Sequence, residues 1–152
     1  MSALEDSLAV KEPVRIYRSL DLFWARLAVH IRAEHLVIFP AIRENTKTMN
    51  DHKPYVEESF ERLRSDHDFF IKQLARAIKA MRLVPEFGNE VEIIEVVCGL
   101  VDSIKQRLAE HDRFEEDHIY PMVYGGAGDP DSIAARTLKE LENLPPRLRN
   151  TV

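Results

Sequence analysis

HIRAEHLVIFP occupies residues 30–40, and HDRFEEDHIYP occupies residues 111–121. Laid over each other at an offset of 81 residues, the two phrases share His, Arg, Glu, Ile and Pro, with Phe39 opposite Tyr120. Each writes a histidine and a glutamate four residues apart: His30 with Glu34, and His111 with Glu115. An α-helix turns about 100° per residue, so i and i+4 share one face one turn apart. Whether that face looks at solvent or at the core decides what the phrase is for.

The flanking residues place it in the core. Ile16, Leu20, Phe23 and Leu27 lead into His30, Glu34, Val37 and Ala41 in steps of three and four. The spacing predicts one helix over Pro13–Glu44, with Pro13 in the first turn, where its missing N–H is harmless. A polar loop follows, and Pro54 opens a second helix whose stripe is Phe60, Leu63, His67, Phe70, Leu74, Ala77 and Met81. This helix is expected to end before VPEFGN. Asn89 with Glu92 reads as a capping box for a third helix. Its stripe runs Val91, Ile94, Val97, Val101, Ile104, Leu108, His111, Glu115, His118 and Met122. Gly99 weakens it locally and suggests close packing there; Pro121 and GGAGD are expected to stop it. Asp129–Pro130 starts a short fourth segment reaching Leu144, and the first ten residues offer at most one helical turn. No strand alternation is present. The fold class is all-α, an up-and-down bundle of three long helices plus a short C-terminal helix.

Size and composition fit one domain over residues 1–152, its core at 13–124 and its C-terminal helix and tail at 129–152. Hydrophobic residues make up 45% and charged residues 31% of the chain, as in soluble globular proteins. A net charge of −5 favours neither nucleic acid nor an anionic membrane. No stretch approaches the roughly 18 apolar residues of a spanning helix. The start lacks the pattern of a signal peptide, and Cys98 is the single cysteine. A cytoplasmic location is expected. Cys98 falls among valines and reads as an inert thiol.

His30, Glu34, His67, His111 and Glu115 thus stand where leucines belong. A buried charge without a partner costs several kcal/mol (order of magnitude), so five scattered ones would be hard to tolerate. Gathered around a cation they satisfy one another. Imidazole with carboxylate suits iron, zinc or manganese, and carboxylates able to bridge favour a metal pair. His118, in an E-x-x-H pair with Glu115, is a sixth candidate ligand. His35 is expected on the surface and His52 in a loop. Asp66 and Asp68 flank His67; they offer themselves as partners to a ligand, but solvated helix charges are the expected reading, while Phe23, Trp24, Phe39, Phe60, Phe69, Phe70 and Tyr120 read as packing.

At these residues the chain resembles the hemerythrin-like, or HHE cation-binding, family. HIRAEHLVIFP looks like that family's second helix, SDHDFF its third and HDRFEEDHIYP its fourth, over roughly Leu20 to Val123. The chain departs from the family in its first helix: 29 residues precede His30 and none is a histidine. The resemblance implies two iron ions, Glu34 and Glu115 bridging them, and a small diatomic or peroxide ligand. A ferritin-like di-metal oxidase, suggested by Glu115–His118, and a metal-free interaction or sensing module are the rival readings. The groove left where a fourth long helix would stand leads to the expectation of a homodimer.

Overall fold

A computed structural model describes residues 2–46, 53–87, 90–124 and Lys139. Six α-helical segments follow in order: α1 (Ser2–Val10), α2 (Pro13–Ala33), α3 (Phe39–Asn45), α4 (Lys53–Phe87), α5 (Glu90–Phe114) and α6 (Tyr120–Tyr124). Two five-residue π-turns, Glu34–Ile38 and Glu115–Ile119, join α2 to α3 and α5 to α6. Each of those pairs is therefore one long rod, and with α4 the rods form the expected bundle. The capping box at Asn89 and the short C-terminal helix (apart from Lys139) lie outside the described residues.

α1 is longer than the sequence suggests. Leu4, in its first half, is 3% exposed and joins the same apolar cluster as Ile16, Leu20, Phe70, Val97 and Ile104. Leu8, four residues on, packs against that cluster. α1 therefore covers within the chain part of the groove expected to stay open. It does not fuse with α2, for a local reason. Glu12 precedes Pro13 and is driven to extended backbone (φ −91°, ψ 112°). Lys11 takes a left-handed conformation (φ 55°), the usual last residue of a helix.

α4 runs past its expected end because Val84 continues the buried stripe of Ala77 and Met81. The other early stop was Pro121, which instead sits within the helical run. The Tyr120 N–H bonds to the Glu115 carbonyl five residues back. The Phe39 N–H reaches Glu34 in the same way, ahead of Pro40. A proline cannot donate and crowds the carbonyl four residues before it. The wide turn immediately ahead of each proline accommodates that defect, which is why the two phrases bulge at the same place.

Each rod carries an apolar stretch, then polar residues, then a second apolar stretch. One cluster contains Leu27, Phe70, Leu74, Val101 and Ile104; the other contains Phe39, Ile42, Phe60, Leu63, Ile119 and Val123. The polar residues between them occupy one layer. Gly99 does not serve close packing, since a Cβ built there meets nothing within 4 Å. Gly99→Ala is expected to stabilise the fold by about 1 kcal/mol through helix propensity alone. A urea midpoint that stays put or falls would contradict it.

Candidate metal centre

His30 and Glu34 come from the end of α2 and the first π-turn, His67 from α4, and His111 and Glu115 from the end of α5 and the second π-turn. One ligand atom from each of the five lies within 4.8 Å of every other. Glu34, His67, His111 and Glu115 are buried, whereas the His30 side chain is 37% exposed and forms the open edge of the cluster.

The contacts are short but poorly directed. His30 Nε2 is 2.7 Å from Glu34 Oε1, His67 Nε2 is 3.1 Å from Glu34 Oε2, and His111 Nε2 is 3.3 Å from Glu115 Oε1. Even so, both Glu34 oxygens, Glu115 Oε1, His67 Nε2 and His111 Nε2 are buried without an aligned hydrogen bond. Buried polar atoms are nearly always paired. Five that converge on one point without pairing need a shared partner, and nitrogen and carboxylate donors suit a cation.

The electrostatics agree. Burial opposes ionisation of Glu34, but the adjacent His30 and His67 imidazoles outweigh it and hold its pKa low. Burial raises the pKa of Glu115, the Glu34 charge adds to this, and His111 only partly offsets them. Burial also disfavours the imidazolium forms of His30 and His111, yet their carboxylate neighbours keep both pKa values raised. The cluster thus resists holding two bare carboxylates at once, a conflict that a bound cation removes.

A second ring of residues aims the first. His111 Nδ1 lies 3.3 Å from Asp66 Oδ2, and Arg107 Nε donates to Asp66 Oδ1 at 2.6 Å. Asp66 is 6% exposed, so it is not the solvated charge expected of it. His67 Nδ1 pairs with His35 Nε2 at 3.1 Å. His35 is exposed as expected, but its ring reaches inward to this ligand candidate. The Tyr120 hydroxyl donates to Glu115 Oε2 at 3.1 Å, which gives Tyr120 more than a packing role. The histidine partners fix which ring nitrogen faces the centre: Nε2 in both cases.

His118 is not brought to the cluster. It is exposed, with Nδ1 2.7 Å from the Tyr55 hydroxyl and its ring 4.6 Å from that of Phe114. The π-turn is the cause: it rotates fewer degrees per residue than an α-helix and swings position 118 off the face of Glu115. Asp68 is likewise on the surface, 3.8 Å from Lys72. His52 lies outside the described residues. Cys98 is half-buried, and burial raises its thiol pKa, which disfavours the reactive thiolate. Among the described residues no helix is long and apolar enough to cross a membrane.

The family model for the hemerythrin HHE cation-binding domain matches residues 1–123. No curated protein matches the chain. No solved structure matches it either.

Proposed function

Because the chain belongs to the hemerythrin HHE cation-binding family, we propose that His30, Glu34, His67, His111 and Glu115 bind iron and that the protein handles dioxygen, nitric oxide, peroxide or iron itself. The observation that carries this reading is the convergence of five buried donor atoms with no hydrogen-bond partner. Zinc and manganese tolerate the same donor types. Bound iron would supply redox chemistry and a position for an oxygen-type ligand. The protein residues supply the rest. Asp66 and His35 hold His111 and His67 by their Nδ1 atoms, Tyr120 orients Glu115, and Phe70 lies 5.3 Å from the His111 ring on the dry side. The half-exposed His30 edge is the side from which a small ligand or water would enter.

The ferritin-like alternative rested on Glu115 paired with His118. It loses that support, because His118 faces away from the cluster. The metal-free alternative predicts indifference to chelation. A metal that binds only the folded chain stabilises it by roughly 2.7 kcal/mol at a hundredfold excess over Kd. Stripping it with a strong chelator is therefore expected to lower Tm by roughly 5–10 °C. Elemental analysis of protein produced with iron should show the metal in the wild type and its loss in His111→Ala. An unchanged Tm together with equal iron in the two proteins would sink the reading. Pairing into a homodimer belongs to the same proposal; light scattering that gives a monomer at high micromolar concentration would end that part of it.

A further inference from the structure

We infer that this site takes one ion per chain, with Glu34 offering two oxygens and Glu115 restricted by Tyr120 to one; the inference rests on the metal-binding reading above.

The spacing of the donors suits a single ion. Donor bonds to such metals are about 2.0–2.2 Å, so opposite donors on one ion stand about 4.0–4.4 Å apart. In a two-metal site the ions are about 3.5–4 Å apart, which sends terminal donors on the far sides to roughly 8 Å. The five donors here all fall within 4.8 Å of one another. Imidazoles are the ligands that two ions would have to separate. His67 and His111 already have Nδ1 engaged by His35 and Asp66, so each has only Nε2 to give. They act as end ligands and cannot span a pair.

The two glutamates are also unequal. Both Glu34 oxygens are buried and unpartnered, one toward His30 and one toward His67. On Glu115 only Oε1 is unpartnered, since Oε2 accepts from the Tyr120 hydroxyl. The repeat makes the contrast plain: the position matching Tyr120 is Phe39, which has no hydroxyl to give Glu34. To bridge through both oxygens, Glu115 would have to share Oε2 with the Tyr120 hydroxyl, which leaves Oε1 as its one uncommitted donor. The cluster therefore presents three nitrogens and three oxygens. Six donors fill one octahedral ion but leave two ions with three apiece. When Glu34 uses a single oxygen, one position on the lone ion stays open.

The test is an anaerobic titration of the metal-free full chain with Co(II), and separately with Fe(II). It is read by elemental analysis after desalting and by the Co(II) visible spectrum. Saturation is expected at one ion per chain, and the oxidised iron form should give the EPR signal of an isolated high-spin ferric ion. Two ions per chain, or an EPR-silent coupled ferric pair, would overturn this inference and leave the metal-binding reading standing. No bound ion would overturn both. Tyr120→Phe keeps the ring and frees Glu115 Oε2. It is expected to change the Co(II) spectrum at unchanged stoichiometry, whereas an unchanged spectrum would refute the restriction placed on Glu115.

Discussion

Glu34→Gln is expected to weaken metal binding by more than about a hundredfold and to lower the stability of the metal-free fold as well. The first half follows from position. Glu34 is the only residue in the cluster with two unpartnered donor atoms, and these face histidines from two different elements. Losing an outer partner of a ligand typically costs 10–100-fold in affinity (order of magnitude), so losing this ligand should exceed that range. The second half follows from the pairing of the buried carboxylate with the His30 and His67 imidazoles, which hold its pKa low, so that its charged form stabilises the metal-free fold at neutral pH. Glutamine fills the same space without the charge and leaves both imidazoles without their buried partner, which is destabilising. Competition titration with Co(II) gives the affinity, and thermal melts with and without metal give the stability. Equal affinity in mutant and wild type would remove Glu34 from the site. Glu115→Gln should weaken binding less, because only one of its oxygens faces the metal.

Asp66→Ala should lower metal affinity by about 10–100-fold although Asp66 touches no metal. Asp66 Oδ2 receives His111 Nδ1, and Oδ1 is held by Arg107, whose guanidinium lies 4.6 Å from the Phe69 ring centre. Without the carboxylate, the His111 ring is free to rotate and to change tautomer, so Nε2 no longer points reliably inward. His35→Ala removes the corresponding partner of His67 and is expected to weaken binding in the same direction. If Asp66→Ala binds within twofold of wild type while remaining folded, the carboxylate does not orient the ligand.

The bundle and its five-residue cluster were legible because periodicity survives in sequence. Steps of three and four put His30, Glu34, His67, His111 and Glu115 on the stripes that also carry Ile16, Phe70 and Ile104, all of which are buried. What escaped depends on the π-turns. An α-helix directs i+5 about 140° away from i, so Tyr120 reads as unable to reach Glu115. Across the wide turn it does reach, and Phe39 enters the core beyond Glu34 for the same reason. His118 failed in the opposite sense: its α-helical phase is good and its real phase is not. Asp66 ranks low as a partner in the sequence, and His35 does not stand out at all, because each neighbours a ligand and so reads as facing elsewhere. Their roles come from contacts with other elements, which periodicity along one helix does not encode. α1 had a faint signal in Leu4 and Leu8, four apart, though a pair is too short to separate from chance.

Each π-turn acts as a dislocation in an otherwise regular lattice. It slips one residue into the rod, so the apolar face above the site is advanced by about one residue's rotation, roughly 100°, against the face below. In the two rods that carry a π-turn the halves are thus indexed differently on either side of the layer of His30, Glu34, His67, His111 and Glu115, whereas α4 runs unbroken through it. Removing one residue from 35–38 would mend the α-helical hydrogen bonding and still ruin the protein, because Phe39 and Ile42 would turn away from Phe60 and Leu63. The defect is where the frame of the upper core is set, and the carboxylates Glu34 and Glu115 stand on its first step.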